Sequence, residues 1–344
     1  MKRITLIIIA ALLCTSSIIA APSKMRVVGQ FSSLVMYTEF EKPYWKKTFV
    51  KDFPNTKVRL SSVSQMKLKG AAPYRQLSKG GFDVVSIIGG YVVSDSQTVA
   101  GLDLPAIAPD IQTAKKIVDA YKPTLEKAIK KDFNAKLLGV MPYPAQILFC
   151  NEKIDSLADL KGKKVRAGSW TTAEFLDGLG ATGVTMQYGE ISQSLQRGIL
   201  DCAIAGGIPG YTAAWGDISK YLYPIPVGGW AYVISAMNMK TWNKFSKEEQ
   251  NKLMKSYNQN VIEPVWKKSD FESIEAVNCL TGKGCSYGRL YDMNLVKVKE
   301  KDLILSKKIL EERVLPKWAE KVSAEVVTEW NNSVGKVVNL EAKE

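Results

Sequence analysis

A chain of 344 residues exceeds what one average hydrophobic core organises, so two domains or lobes are expected. Hydrophobic residues at 46% and charged residues at 24% exclude a disordered chain, a collagen-like fibre and a multi-span membrane protein. The absence of any histidine excludes Ser-His-Asp and Cys-His catalysis, a histidine-bearing zinc site and a histidine pH switch. The net charge of +13 comes from lysines spread along the whole chain and mixed with acids, as in residues 244–255. Nucleic-acid binders cluster their charge and interleave aromatics. This pattern reads instead as a solvated basic surface with a weak attraction for small anions, and no nucleic-acid partner is expected.

The chain opens Met-Lys-Arg, continues in an apolar stretch over residues 4–13, and reaches small residues around Ala20-Ala21. A positive start, a short apolar run and small residues at a cleavage point describe a secretory signal peptide, assigned to residues 1–20. The run is shorter than the roughly 20 residues a spanning helix needs. An exported protein that is not itself membrane-embedded is expected, located in the periplasm. Without Cys14 four cysteines remain, and an oxidising compartment favours disulfides. Cys279 and Cys285 flank a Gly-bearing loop and form the favoured pair. Cys150 and Cys202 then pair by default, or stay buried as small hydrophobes.

From residue 25 strand-like and helix-like segments alternate. Residues 25–29, 56–62 and 82–88 read as strands, and 39–52 and 74–77 as helical. A long amphipathic helix is predicted over 111–131, interrupted near Pro123, then a strand over 136–141. Strands follow at 163–167 and 200–205, with a helix between them begun by a capping box Thr171-Thr172-Ala173-Glu174, and another at 190–197. Residues 227–236 read as a strand returning to the first lobe, and 246–278 and 303–334 as mostly helical. The alternation predicts α/β architecture with parallel sheets in two lobes joined by several crossings. Residues 21–142 with about 232–298 are assigned to the first lobe. Residues 143–231 with about 299–344 form the second, including the C-terminal helices.

Neither a dinucleotide fingerprint nor a phosphate loop, Cys-x-x-Cys pair, EF-hand loop or nucleophile elbow is present. No cofactor, metal or catalytic residue is assigned, and the chain reads as a binder rather than an enzyme. An exported enzyme using lysines or carboxylates is the distant alternative. Arg166 ends a strand just before a capped helix. Its guanidinium fork and the helix N-terminus are two devices for an anion. Facing an open cleft, Arg166 would hold little of the core.

The run from Leu157 to Arg166 (Leu-Ala-Asp-Leu-Lys-Gly-Lys-Lys-Val-Arg), then Leu179-Gly180-Ala181, Glu190-Ile191 and the segment from Leu195 to Asp201, resembles the periplasmic solute-binding proteins of TRAP transporters, the DctP family. Gly80-Gly81-Phe82-Asp83, Leu104-Pro105 and the stretch from Thr241 to Ser246 extend the resemblance over nearly the whole mature chain. It implies a two-lobe periplasmic-binding-protein-like fold with the ligand cleft between the lobes. It also implies delivery to membrane permease subunits, and a carboxylate held by one arginine, which matches Arg166. Sialic-acid-type members have a second arginine where this chain has Gln146, and many members have an asparagine at Gly206. Tyr91, Gln146 and Arg166 together look like members that bind 2-oxo or 2-hydroxy monocarboxylates. Gly229-Trp230 stands where some of those carry an acidic cation ligand.

Further ligand contacts are expected from Trp170, beside the cap; from Phe31 and Ser32, after the first strand; and from Trp230. Gln146, after Pro142-Tyr143-Pro144, is expected to read a keto or hydroxyl oxygen. The function read from the sequence is an exported receptor that captures a small organic acid for a TRAP-type permease; a ligand-presenting sensor is the alternative. Exported protein should begin at Ala21 or Pro22. An N-terminal read starting at Met1 would overturn the leader assignment.

Overall fold

The computed structural model describes residues 21–343, so the leader assigned to residues 1–20 lies outside the described residues. Eleven strands follow one another along the described chain: β1 (Lys24–Gly29), β2 (Lys57–Ser62), β3 (Val84–Ile88), β4 (Ala135–Met141), β5 (Gln146–Cys150), β6 (Lys164–Ala167), β7 (Thr182–Thr185), β8 (Cys202–Gly206), β9 (Tyr221–Tyr223), β10 (Val233–Asn238) and β11 (Asn294–Leu295). They form two sheets, ordered β2-β1-β3-β10-β4 and β11-β9-β5-β8-β6-β7. With helices packed around both, this is a two-lobe α/β fold.

The sheets are mixed rather than parallel. β1, β2 and β3 run parallel, as do β6, β7 and β8, but β10 is antiparallel to β3 and β4, and β5 to β8 and β9. Parallel neighbours need a crossover, usually a helix. β5 and β10 are the strands by which the chain arrives from the other sheet, through residues 142–145 and 224–232, with no helix to turn it round. These two crossings join the sheets.

Other differences have local causes. Pro123 sits inside an unbroken helix, Ile111–Phe133, whose inner face buries Tyr121, Leu125 and Ile129 and offsets the lost amide. Residues 227–232 are not strand: Gly229 and Ala231 take positive φ and bend the chain before β10 begins. The helix after β6, Trp170–Gly178, is capped by Ser169 Oγ, not by a box at Thr171, and the largely buried Glu174 pairs instead with Arg313 and Lys317.

Long-range ties cross the expected division of the chain. The helix Glu263–Leu280 runs behind the first crossing, its Trp266 indole donating to Val140 O (3.2 Å) and its Ser269 hydroxyl to Pro142 O (2.9 Å). At its far end Ala276 packs so close to Gly207 that a Cβ there would come within 2.5 Å. β11 is an edge strand of the second sheet, although the sequence division puts residues to about 298 with the first lobe. Trp318 and Trp330 donate from the C-terminal helices to Gln97 O and Gly101 O, on the first lobe's side.

Cys150 and Cys202 face each other across the antiparallel pair of β5 and β8 and are disulfide-bonded, as are Cys279 and Cys285. The first bridge closes 52 residues and the second 6. On loop-closure entropy they contribute about 4 and about 2 kcal/mol respectively. Replacing Cys150 and Cys202 together by alanine should therefore cost more stability than the same change at Cys279 and Cys285. Denaturant titration in which the shorter loop matters more would reverse this ordering.

Candidate ligand-binding site

Between the sheets lies a cavity of about 60 Å³. Its walls are mostly apolar, with Phe31, Leu34 and Ile88 from the first lobe's side and Ile204 from β8. Few polar groups reach it, which is the composition of a small-molecule site.

Arg166 is the first of them. The burial of β6 carries its side chain inward, leaving it 5% exposed. Its Nε donates to Met186 O (2.8 Å) and Nη1 to Ile204 O (2.6 Å). Nη1 and Nη2 lie along the bare backbone of Gly168, and the Tyr91 phenol also hydrogen-bonds the guanidinium. Burial pushes the guanidinium down from its ordinary value, opposed by the neighbouring Tyr91 phenol; no carboxylate contributes. Arginine stays charged regardless. The expectation of a loosely held side chain in an open cleft is thus corrected: two carbonyls clamp it because a buried guanidinium must satisfy its N–H groups.

Ser169, Thr171 and Thr172, in the first turn of the helix after β6, also face the cavity. Tyr91 comes from the opposite lobe, and its phenol oxygen accepts the Tyr188 N–H (3.0 Å). The Phe31 and Tyr188 rings meet edge to face at 5.4 Å, again across the lobes. Gln146 is buried at the start of β5, directly opposite Gly206, where a Cβ would approach its Nε2 to 3.0 Å. A side chain at Gly206 would displace that amide. Gln146 Nε2 donates to Pro144 O (2.8 Å), which fixes the amide's orientation.

Phe31, Tyr91, Gln146, Arg166 and Gly206 therefore meet on one cavity. Ser32, Trp170 and Trp230 do not line it. Ser32 turns toward Ser64, its N–H 3.4 Å from Ser64 Oγ. The Trp170 indole reaches outward to Gln97 (3.1 Å), beneath the Lys321 ammonium. Trp230 is buried with its indole on Ala108 O, and only its backbone meets wall residues, its carbonyl accepting the Tyr143 N–H (3.0 Å) and its N–H reaching another.

That wall residue, Asp103, escaped the sequence reading, as did Tyr143 and Tyr188. An acid inside the apolar run Leu102-Asp103-Leu104-Pro105 was the available signal. Asp103 Oδ1 accepts the Trp230 N–H (2.8 Å), with the Ala231 and Tyr232 amides alongside. Burial nevertheless pushes its carboxyl up to about 7. Behind the cavity, Tyr143 donates to Gln30 Oε1 (3.0 Å), and Gln30 N–H to Glu41 Oε2 (2.7 Å). Glu41 is fully buried, one oxygen has no partner among the described residues, and its carboxyl is also pushed up to about 7.

These acids set a pH dependence of known sign. Between the ordinary carboxyl range and about 7 the folded chain holds protons that the unfolded chain has lost, so stability falls as pH rises through that window. Glu272, raised to about 7 by burial, acts in the same direction. The denaturation midpoint of ligand-free protein should be lower at about pH 8 than at about pH 5. Glu41→Gln should raise the midpoint at the higher pH and flatten the slope. A midpoint rising with pH over that range would contradict the burial argument.

The model of the bacterial extracellular solute-binding protein family 7, DctP, matches residues 45–312, and the chain belongs to this family. The Salmonella typhimurium protein YiiZ is 26% identical over 178 residues, half of this chain, which spans 53% of that relative's length. Among solved structures, a TRAP periplasmic solute-binding protein of Desulfovibrio salexigens with bound orotic acid is similar at TM-score 0.81 and 15% identity, over 92% of this chain and 100% of that one. The Bordetella pertussis receptor DctP6, which binds pyroglutamic acid, is similar at TM-score 0.79 and 22% identity, over 91% and 99%. The corresponding protein of Rhodoferax ferrireducens, with bound malonate, gives 0.77 and 15%, over 92% and 98%.

Proposed function

We propose that this chain is an exported receptor that encloses a small organic acid between its lobes and delivers it to a TRAP-type membrane permease. The observation that carries the reading is Arg166: a buried cation on a cavity wall, held by two carbonyls, with no carboxylate partner among the described residues. A buried charge in an apolar site calls for an opposite charge. The guanidinium edge left by the two carbonyls, with the Tyr91 phenol beside it, presents a fork that a ligand carboxylate would fill. Hydroxyls in the first turn of the adjacent helix would add donors to the same anion.

Size narrows the ligand. At about 10–15 Å³ per water on the same scale, a cavity of about 60 Å³ takes about four to six water-sized groups. A small monocarboxylate fits this space, and with one arginine in the site a 2-oxo or 2-hydroxy acid is the reading carried from the sequence. The orotic acid, pyroglutamic acid and malonate of the similar structures are all compact carboxylates, which supports the class. Capture works by hinge closure: the ligand stabilises the closed form by touching groups from both lobes.

The decisive experiment is calorimetry on wild type, Arg166→Lys and Arg166→Ala with a panel of small carboxylates. Alanine should weaken the best ligand by roughly two to three decades, since a desolvated carboxylate loses its partner. Lysine keeps the charge without the fork and should still lose about tenfold or more. Because Arg166 also holds Met186 and Ile204, both variants should melt somewhat lower without ligand. Unchanged affinity in Arg166→Ala would sink the carboxylate clamp.

A further inference from the structure

The charge of the chain is not shared between its lobes. Residues 21–141 and 233–262, which build the first sheet and its helices, hold 24 lysines and arginines against 12 acids. The remaining residues from 142 onward hold 21 against 22. The positive excess therefore sits on one lobe.

Much of that excess gathers at one end of the first sheet. β1, β2 and β3 run parallel toward the cavity, so Lys24 and Lys57 mark the end away from it. β10 is antiparallel to β3 and brings the chain back to the same end, where Lys240 and Lys244 follow it. The helix Ile111–Phe133 finishes there, with Lys130 and Lys131 in its last turn, just before β4 begins. Lys79 is placed by its neighbour Gly80, whose carbonyl accepts Arg26 Nη2 (2.6 Å). All seven lysines are exposed. The ion pairs formed beside them, Arg26 with Asp83 (3.5 Å) and Lys136 with Glu126 (3.3 Å), involve none of them. Asp132, Glu248 and Glu249 are the acids left nearby.

Neither the fold nor the cleft accounts for this arrangement. Helix dipoles favour Lys130 and Lys131 in a last turn. Lys24 and Lys57, however, stand in register on neighbouring strands about 5 Å apart, where like charges repel. Strands of five or six residues set this end roughly 17–20 Å from the cavity side, about two Debye lengths at physiological salt. At that distance the lysines are screened from an anion entering the cleft.

We infer that this end of the first lobe is a docking face for an anionic lipid bilayer, whose headgroup phosphates supply the missing counter-charge. A protein partner would need apolar or aromatic anchors as well as charge. The two most exposed large apolar side chains among the described residues, Ile274 and Ile304, belong to the charge-balanced remainder of the chain. Long lysine side chains from separate elements read charge without reading shape, and a lipid surface presents only charge. The contact holds the receptor at the membrane with its cleft turned away from the headgroups and open to solute. It is independent of which solute the cleft takes.

The test is co-sedimentation of the exported chain with vesicles of equimolar phosphatidylglycerol and phosphatidylcholine, against vesicles of phosphatidylcholine alone. Wild type should partition onto the anionic vesicles, more weakly as salt rises. At roughly fivefold per lysine held near an anionic surface, Lys57→Glu, Lys79→Glu and Lys244→Glu combined should cut partitioning by at least about tenfold. Lys161→Glu, Lys164→Glu and Lys220→Glu combined make the same charge change on exposed lysines of the second lobe and should leave it within about twofold. No preference for the anionic vesicles, an equal loss in both variants, or wild-type partitioning in the first variant would each overturn the inference. So would an acidic protein that binds this end while the vesicles do not. If the combined first-lobe variant does not fold, Lys57→Glu and Lys244→Glu singly decide, each expected to lose a few-fold.

Discussion

A guanidinium taken out of water and held by two backbone carbonyls is the constraint on which the rest of the site depends. Arg166 cannot lose its charge, so its burial is tolerable only if the surroundings supply acceptors. Met186 O and Ile204 O supply two of them, one from the segment after β7 and one from β8. The same two bonds fix the plane of the fork. What is left over points at the cavity, with Tyr91 beside it. A clamp built this way needs no reorganisation when an anion arrives, which is how preorganisation converts into affinity. It also explains the bare backbone around it, since Gly168 lies along the guanidinium and Gly206 leaves room for Gln146.

How far this could be read in advance depended on whether the signal was local. β1, β3 and the helix of residues 111–133 announce themselves through apolar periodicity, because their burial is set by their own side chains. Arg166 was readable because a strand, a basic residue and a capped helix follow one another within ten positions. The 227–232 segment was not. Its residues are apolar enough for a strand, but positive φ at Gly229 and Ala231 and the pull of Asp103 on its amides decide otherwise. Asp103 is more than 120 residues away in sequence, so no window of local pattern contains the contact. Trp170 failed for a related reason. Proximity to the cap was correct, yet the direction of the side chain follows from which residue caps, and Ser169 rather than Thr171 does so.

Sheet direction was lost to the same cause. Strands alternating with helices predict parallel pairing only while the chain stays within one lobe. Each short passage through residues 142–145 or 224–232 inserts an antiparallel strand at its destination. The Glu263–Leu280 helix lies against these passages with Trp266 and Ser269 bonded to the carbonyls of Val140 and Pro142 at the first crossing.

Closure then has to be driven by something that exists only when the lobes meet. Lys69 and Glu190 pair across the cleft, but both are well exposed, and such pairs contribute little in water. The Tyr91–Tyr188 hydrogen bond and the edge contact of Phe31 with Tyr188 are single interactions of ordinary strength. Each such contact exists only when the two lobes meet. A ligand tips the balance between open and closed forms only by differential contacts, and the amount it can shift is set by what each lobe contributes. With the cation on one lobe and Phe31 and Tyr91 on the other, only the closed form presents both walls to one ligand. An acid that bound Arg166 alone would gain as much from the open protein as from the closed one. Placing complementary groups on opposite lobes is what lets binding report itself as a change of shape.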